Sequence, residues 1–356
     1  MKKATLFFTG GGSGGHVMPA LTLIQSLKNQ PCEIHYIGGY DSIERELVKP
    51  YGLNYHPIHN GKLRRYLSVE NLKDFFKVWI GVLQAFSLLF QYPRKTTLIF
   101  STGGFVSLPV VVAAWLQRKT IYVHEQTSRV GLANKIASIF ADKVFVSFED
   151  SLKYFPSTKT IYSGYPLRDE CFTRDIKDVV VGGKSLLQIN KPILFVTGGG
   201  NGSFLLNELI RRNLAVLTEK YFVVHQVGKS NAENYTKLNN ENYYAMPFVG
   251  QEMIDIFKLA TVTLSRSGAG TVCELIAIGK KSIYVPLKIA QKNEQYYNAL
   301  EAKTKLGSII IEEKDLTDES FLNALNEFHY PNERKIVQKE NGKSLLLNEI
   351  SIFMHK

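Results

Sequence analysis

The sequence predicts an α/β protein made of two Rossmann-like, doubly wound parallel-sheet domains that face each other across a cleft. Short apolar runs alternate with amphipathic stretches along both halves of the chain, the pattern of strands connected by helices. A strand, a glycine-rich turn and a helix open each half, at residues 4–24 and again at 193–206. A length of 356 residues also suits two domains better than one hydrophobic core.

Composition is that of an ordinary globular protein and narrows the choice of partners. Hydrophobic residues make up 45% of the chain and charged residues 21%, which disfavours disorder. The three widely spaced cysteines, Cys32, Cys171 and Cys273, indicate neither a disulfide framework nor a metal cluster. No signal-peptide pattern is visible, so we expect the protein to stay inside the cell. A net charge of +11 predicts an anionic partner: nucleic acid, nucleotide phosphate or an anionic membrane surface.

The first glycine turn, residues 9–16, reads Thr-Gly-Gly-Gly-Ser-Gly-Gly-His. Its glycines permit positive φ and leave bare N–H groups at a helix start, which favours an anion or a sugar hydroxyl. His16 stands where the helix dipole favours the neutral imidazole, so it is a candidate general base. Gly10, Gly12 and Gly15 also match the G-x-G-x-x-G fingerprint of dinucleotide-binding proteins, and Asp41 lies near the position of the acidic residue that binds ribose in them. An NAD-binding oxidoreductase is therefore an alternative. A turn that only lets the helix pack closely on the sheet is the other alternative.

The remaining elements follow in regular alternation. In the first half the predicted strands are at 33–37, 54–58, 97–100, 120–123 and 143–146, and the helices at 42–49, 106–116 and 131–140. In the second half the predicted strands are at 193–197, 221–225, 243–246, 262–264, 282–285 and 308–311, with helices between them. A poorly patterned polar stretch to about residue 190 marks the boundary. The predicted domains are 1–165, with a helix at about 340–356 packing back on it, and 166–339.

Residues 61–95 interrupt this alternation. A basic stretch leads into a helix from Leu72 to Tyr92 with an aromatic-rich face, too short and too polar for a membrane span of about 20 apolar residues. We expect this helix either to dock on an anionic membrane surface or to pack as an ordinary core helix. Because the basic residues cluster beside an apolar helix, a membrane is favoured over nucleic acid. The predicted membrane patch is Arg64, Arg65, Phe75, Trp79 and Phe86.

A second candidate site follows the strand at 262–264. Residues 265–274 read Ser-Arg-Ser-Gly-Ala-Gly-Thr-Val-Cys-Glu, a small-residue turn that opens a helix. Its N–H groups can hold a pyrophosphate, and the Glu274 carboxylate can accept both hydroxyls of a ribose. Beyond the next strand, the amide of Gln295 can bond sugar hydroxyls. Open α/β sheets bind ligands at this carboxyl edge.

Seven motifs then fall in the order found in one family. They are residues 11–16, 103–109 (Gly-Gly-Phe-Val-Ser-Leu-Pro), 124–126 (His-Glu-Gln), 131–135 (Gly-Leu-Ala-Asn-Lys), 164–168 (Gly-Tyr-Pro-Leu-Arg), 266–269 with Glu274, and Gln295 with Asn298 and Ala299. Through them the chain resembles the bacterial peptidoglycan N-acetylglucosaminyltransferases of glycosyltransferase family 28, from the first strand to about residue 300. The resemblance implies a GT-B fold and an inverting transfer of N-acetylglucosamine (GlcNAc) from UDP-GlcNAc to the muramoyl C4 hydroxyl of undecaprenyl-linked lipid I. The product would be lipid II for the cell wall, made without a cofactor by a peripheral protein on the cytoplasmic face of the cell membrane.

The resemblance also implies which residues hold the substrates. His16 is the implied catalytic residue. The implied donor-binding residues are Ser13, Gly14, Gly15, Arg168, Gly200, Val249, Ala269, Gly270, Thr271, Val272, Cys273, Glu274 and Gln295, and the implied acceptor-binding residues are Gly12, Gly14, His16, Gly104 and Asn134. The chain has no Asp-x-Asp dyad to hold Mg²⁺ or Mn²⁺, so we expect no metal site. N–H groups, helix dipoles and Arg168 are expected to stabilise the diphosphate instead.

Some positions depart from the family's usual pattern. The second glycine turn, residues 199–202, reads Gly-Gly-Asn-Gly and lacks a serine hydroxyl. Thr127 and Tyr165 each replace an asparagine, and Glu294 replaces a neutral residue. The alternative function is therefore a sister glycosyltransferase that acts on another lipid acceptor or nucleotide sugar.

Overall fold

The computed structural model describes residues 3–61, 69–288, 293–328 and 342–356, with the backbone alone at 69–75. The chain divides into two units, Met1–Leu167 with Glu340–Lys356, and Arg168–Lys339. Each unit is built on its own parallel sheet covered by helices. The predicted α/β class with two Rossmann-like domains is confirmed.

The first unit contains, among the described residues, a seven-stranded parallel sheet in the order β3-β2-β1-β4-β5-β6-β7. Its strands are β1 (Ala4–Gly10), β2 (Cys32–Gly39), β3 (Asn54–Ile58), β4 (Thr97–Gly103), β5 (Thr120–Glu125), β6 (Lys143–Val146) and β7 (Thr160–Tyr162). Its helices are α1 (Gly14–Leu27), α2 (Ile43–Val48), α3 (Val69–Phe90), α4 (Ser107–Leu116), α5 (Leu132–Phe140) and, from the end of the chain, α12 (Gly342–Met354). The order is that of a doubly wound sheet, and it reverses between β1 and β4.

Both faces of this sheet are covered, which explains why β1 and β4 are buried at every residue. On one face, α1 packs with α12, whose Leu346 and Ile350 are fully buried. An ion pair of 2.6 Å between Lys143 and Glu349 links α12 to the start of β6. On the other face lie α3, α4 and α5. The first core is therefore closed by the last helix of the chain.

Helix α3 has a buried face that packs as a core helix and an exposed face, for which membrane docking stays a prediction. Val82, Ala85 and Leu89 are buried in the core. The side chains that are 45–74% exposed are Phe76, Trp79, Ile80, Leu83 and Phe90. Among the helices that the structure describes, none is long and apolar enough to cross a membrane.

The predicted membrane patch is only partly represented on that exposed face. The side chain of Trp79 is 50% exposed. That of Phe86 is partly buried and packs against the core, and its ring stacks on Phe90 with 6.3 Å between ring centroids. Arg64, Arg65 and the side chain of Phe75 lie outside the described residues.

The second unit repeats the topology, with the strand order β12-β11-β10-β13-β14-β15 in its described part. Its strands are β8 (Val180–Val181) and β9 (Lys184–Ser185), which form a separate antiparallel pair, and β10 (Ile193–Thr197), β11 (Phe222–Gln226), β12 (Tyr243–Met246), β13 (Val262–Ser265), β14 (Ile283–Tyr284) and β15 (Ile309–Ile310). Its helices are α6 (Phe204–Lys220), α7 (Ala232–Thr236), α8 (Met253–Leu259), α9 (Ala269–Ala277), α10 (Glu294–Leu306) and α11 (Asp318–Asn326). The order reverses between β10 and β13, at the turns that precede α6 and α9.

Candidate active site

The first glycine turn lies where the strand order of the first sheet reverses. The N–H of Gly11, after β1, donates to the carbonyl of Gly103, after β4, at 3.1 Å. Gly104 has φ +85°, and a Cβ there would lie 2.1 Å from the carbonyl oxygen of Gly11. The two turns therefore touch through glycine backbone. Crevices at such reversals are where open α/β sheets bind ligands.

The buried carboxylate of Glu44 lies behind the first glycine turn, whereas Asp41 is exposed. Oε2 of Glu44 accepts the N–H of Gly12 at 3.1 Å, and Oε1 accepts the N–H of Gly39 at 3.0 Å. A Cβ on Gly11 would lie 2.4 Å from the carboxylate carbon, so only glycine allows this approach. The N–H of Gly12 is therefore already bonded within the protein.

Helix α1 starts at Gly14 without a side-chain cap and without an acidic residue in its first turn. The N–H groups of Gly14 and Gly15 therefore lack intrahelical partners. They stand beside the exposed residues Gly12 and Ser13. This end of the helix keeps donors for a ligand oxygen even though the Gly12 N–H is occupied.

His16, in the first turn of α1, is bonded through one ring nitrogen. Nδ1 lies 3.0 Å from the carbonyl oxygen of Thr102 and 3.1 Å from Oε1 of Gln126. Thr102 also donates its hydroxyl to the backbone carbonyl of His16 at 2.5 Å. In the described part of the chain, Nε2 of His16 has no hydrogen-bond partner. This partly exposed ring thus keeps one nitrogen for a substrate.

The neighbouring carboxylate of Glu125 is saturated with donors. It accepts the N–H and hydroxyl of Thr127 at 3.0 and 2.9 Å, the N–H of Gly131 at 3.3 Å and the side-chain amide of Asn134 at 3.0 Å. Glu125 therefore anchors the segment after β5 and does not compete with His16 as a base. Asn134 is buried against Gly103, and its Oδ1 has no hydrogen-bond partner among the described residues.

In the second unit, Gln226 organises the turn after β10. Its amide donates to the carbonyl of Gly199 at 2.7 Å and accepts the N–H of Val249 at 3.1 Å. Gly200 is exposed at the tip of the turn, and Val249 is buried. One predicted donor-binding residue, Val249, and the neighbour of another, Gly199, are thus bonded to one buried side chain that the sequence did not single out.

The turn at 265–268 opens helix α9. This helix also lacks a side-chain cap and an acidic residue in its first turn, so the N–H groups at 269–271 have no intrahelical partners. The side chains of Val272 and Cys273 are buried in the domain core, and the N–H of Val272 donates to the carbonyl of Gly268 at 3.0 Å. The groups that can meet an anion are therefore those of the first turn.

Glu274 and Arg168, both predicted to contact the donor, form an ion pair. Nη2 and Nε of Arg168 donate to Oε1 of Glu274 at 2.7 and 3.2 Å. Burial acts to lower the pKa of the Arg168 guanidinium, but the Glu274 carboxylate raises it above its usual value. Among the described residues, Oε2 of Glu274 has no hydrogen-bond partner. Arg168 thus lies at the carboxylate predicted to bind ribose, and its contact with phosphate stays a prediction.

Two further residues fix helix α10 and the strand ends around this turn. Gln295 accepts the N–H of Leu287 through Oε1 at 3.0 Å, which leaves its NH₂ group for another acceptor. Asn298 is buried and donates to the carbonyl of Ser267 at 3.1 Å. The start of α10 is therefore attached to the turn that precedes α9.

Arg266 joins three loops at the same edge. Its Nε donates to the hydroxyl of Ser203 at 3.0 Å, its Nη1 donates to the carbonyl of Val285 at 3.1 Å, and it pairs with Glu313 at 2.7 Å. Burial lowers the pKa of this guanidinium, and the Glu313 carboxylate opposes that shift. Arg266 is thus used internally to hold the glycine turn before α6.

Two family models match the chain. The glycosyltransferase family 28 N-terminal domain matches residues 6–146, and the glycosyltransferase family 28 C-terminal domain matches residues 193–350. The chain belongs to glycosyltransferase family 28. The resemblance drawn from the seven motifs is therefore confirmed, and the alternative of an NAD-binding oxidoreductase is wrong.

Relatives within family 28 align with nearly the whole chain. The UDP-N-acetylglucosamine--N-acetylmuramyl-(pentapeptide) pyrophosphoryl-undecaprenol N-acetylglucosamine transferase of Clostridium tetani is 37% identical over 345 residues, 96% of this chain and 94% of the relative. The protein of the same name from Oceanobacillus iheyensis is 39% identical over 319 residues, 88% and 87% of the two chains.

Solved structures show the same fold at lower identity. Acinetobacter baumannii MurG has a TM-score of 0.68 at 21% identity and covers 98% of this chain and 99% of its own. The calicheamicin glycosyltransferase CalG4 has a TM-score of 0.68 at 13% identity, with 100% and 99% covered. These similarities support the GT-B assignment of the family 28 chain.

Proposed function

We propose that this chain transfers GlcNAc, with inversion, from UDP-GlcNAc to the C4 hydroxyl of the muramoyl sugar in undecaprenyl-diphospho-muramoylpentapeptide (lipid I), giving lipid II. The observation that carries the proposal is the chemistry at the two strand-order reversals. Among the described residues, one presents an imidazole nitrogen without a hydrogen-bond partner at His16, and the other presents a carboxylate oxygen without one at Glu274, beside an uncapped helix start. The names of the two relatives, which are 37% and 39% identical to this chain, support this pair of substrates.

The second unit is the proposed donor site. The N–H groups at 269–271 and the dipole of α9 bind the diphosphate, since uncapped helix starts favour anions. Oε2 of Glu274 accepts the ribose hydroxyls while Oε1 stays on Arg168. The NH₂ group of Gln295 bonds a GlcNAc hydroxyl. Donors of the helix start thus meet the diphosphate, an acceptor oxygen meets the ribose hydroxyls, and an amide donor meets the GlcNAc hydroxyl.

The first unit is the proposed acceptor site. Nε2 of His16 takes the proton of the C4 hydroxyl while that oxygen bonds to the anomeric carbon. The bond from the anomeric carbon to the UDP oxygen breaks on the opposite face, and its electron pair leaves with UDP. Helix-start N–H groups and Arg168 stabilise the departing diphosphate, so the reaction is proposed to need no metal ion.

The exposed face of α3 is the proposed membrane-docking surface. It offers Trp79, Leu83 and Phe90 to the headgroup region, at 50%, 69% and 74% exposure. Arg94 and Lys95, just after the helix, are exposed cations that suit anionic lipid. Such docking would hold the enzyme where an undecaprenyl-linked acceptor lies, as a peripheral protein on the cytoplasmic face.

Vesicle flotation tests the docking surface. Because Phe86 packs against the core, the paired substitutions are Trp79→Glu and Leu83→Glu, which should remove binding to anionic vesicles without unfolding the protein. The matched control is Val180→Glu with Leu187→Glu, which makes the same charge change on exposed apolar residues of the second unit. Equal vesicle binding by both double variants would refute the surface.

A transfer assay tests the function itself. Purified protein receives radiolabelled UDP-GlcNAc with and without a lipid I analogue. We expect label in the lipid product only when the acceptor is present. Transfer from another nucleotide sugar in preference to UDP-GlcNAc, or to another lipid in preference to lipid I, would support the sister-enzyme alternative instead.

A further inference from the structure

Three adjacent strands bring together the groups that surround the ring of His16. His16 follows β1, which pairs with β4. Thr102 lies at the end of β4, and Gln126 directly follows β5, its neighbour on the other side. The strand order therefore places one imidazole, one backbone carbonyl and one amide at the same point of the sheet edge.

The amide of Gln126 has one favourable orientation. Its Nε2 lies 2.6 Å from the carbonyl oxygen of Thr102 and 2.9 Å from that of His124, and both carbonyls can only accept. A flipped amide would set its own oxygen against these two oxygens and lose both bonds. The NH₂ group therefore faces the carbonyls, and Oε1 faces Nδ1 of His16 at 3.1 Å.

Both polar neighbours of the His16 Nδ1 atom are then acceptors. In a neutral imidazole, Nδ1 has to carry the hydrogen to satisfy them, which leaves the lone pair on Nε2. We propose that Gln126 is a positioning residue that, with the carbonyl of Thr102, holds His16 in the Nδ1–H tautomer and so keeps Nε2 unprotonated. The inference rests on the proposed function, in which Nε2 of His16 accepts the acceptor's proton.

His124 supports the same orientation from the other side. Its Nδ1 lies 3.3 Å from Nε2 of Gln126, and its Nε2 lies 3.1 Å from the hydroxyl of Ser147. Burial lowers the pKa of His124 to about 4, so the ring is neutral at physiological pH. Nδ1 of a neutral His124 can share the hydrogen that the Gln126 amide donates to the His124 carbonyl, whereas a protonated ring would set a donor against that NH₂ group.

Nitrogen NMR of the histidine rings in the full-length protein tests the tautomer without any variant at position 126. The chain has eight histidines, and a spectrum of His16→Ala identifies the signals of His16. At neutral pH we expect a protonated Nδ1 and an unprotonated Nε2. The opposite assignment in the unmodified protein would overturn the proposal.

Gln126→Leu then tests the residue itself. We expect a mixture of His16 tautomers and a roughly fivefold lower kcat with unchanged donor KM, the factor that one neutral hydrogen bond contributes. Gln126→Glu should instead shift the base's ionisation in the kcat–pH profile to higher pH, because a carboxylate beside Nδ1 favours the imidazolium. A His16 tautomer that stays uniform in Gln126→Leu would refute the positioning role.

The control is Gln226→Leu, which removes a buried amide at the end of β11 in the second sheet. It should leave the His16 ring signals unchanged, since its partners are Gly199 and Val249. A change there equal to that in Gln126→Leu would count against the proposal. Failure of the proposed base role would be seen separately, as an unreduced kcat in His16→Ala, while the ring spectra still decide the role of Gln126.

Discussion

Replacing Glu44 by alanine should loosen the first glycine turn while leaving the rest of the fold in place. The carboxylate holds two N–H groups, those of Gly12 at 3.1 Å and Gly39 at 3.0 Å. Gly39 is buried, so losing the acceptor of its N–H costs roughly 1–3 kcal/mol. Gly12 is exposed, so its N–H can bond to water instead, and that loss costs roughly 0.5–1.5 kcal/mol. The expected total is about 2–4 kcal/mol of local stability. Glu44→Gln keeps one acceptor and should lose about half of that.

Amide hydrogen exchange measures this local stability directly. A loss of 2–4 kcal/mol corresponds to exchange roughly 30- to 1,000-fold faster in peptides that contain residues 10–16 and 36–42. Glu46→Ala is the matched control, because Glu46 lies on the same short helix but is exposed. Its effect should stay within about 0.5 kcal/mol. Equal exchange rates in Glu44→Ala and Glu46→Ala would show that the Glu44 carboxylate does not stabilise the turn.

The remaining predictions concern donor binding, metal dependence and pH. Glu274→Ala should weaken donor binding by on the order of 2–4 kcal/mol, because two charge-assisted hydrogen bonds are lost. The control Glu233→Ala, at an exposed residue, should leave donor binding unchanged. An unaltered donor KM in Glu274→Ala would contradict the assignment of Glu274 to ribose. Transfer should persist in EDTA, because the chain has no Asp-x-Asp dyad; activity lost in EDTA and restored by Mn²⁺ would count against this. Burial lowers the pKa of His124 to about 4 and that of His225 to about 3, so between pH 6.5 and those values only the unfolded chain binds these protons. The free energy of unfolding should therefore be highest above pH 6.5 and fall as the pH drops, by about 3 kcal/mol at pH 4 for His124 alone. Denaturant titrations should show a smaller loss of this free energy in His124→Gln than in the wild type.

The helices, the strands and the positions of the glycine turns could be predicted from the sequence, because the patterns that indicate them are local. An apolar strand, glycines and an amphipathic helix lie within 25 residues of one another, and each predicted glycine turn does precede a helix. Helix α3 was predicted to carry an apolar face. The sequence did not reveal that Phe86 faces inward while Leu83 faces out, because the packing partner of the helix decides which stripe is buried.

The connections within the site were not predictable in the same way. Glu44 meets Gly12 across 32 positions, and Gln126 meets His16 across 110. Such pairs depend on which parallel strands are neighbours, and no local periodicity encodes that order. Gln126 was visible in the His-Glu-Gln motif, but its role became apparent only when the Thr102 carbonyl fixed the direction of its amide.

The most direct test of the proposed catalytic base is the effect of His16→Ala on kcat and KM in the lipid I transfer assay. General-base catalysis contributes about 10²- to 10⁴-fold, so we expect kcat to fall by that factor while donor KM changes little. Glu125→Gln serves as the comparison. The Glu125 carboxylate is saturated with donors, so this substitution should affect folding and should not remove the catalytic base. A His16→Ala enzyme with an unchanged kcat and a raised acceptor KM would show that His16 binds the acceptor and is not the base.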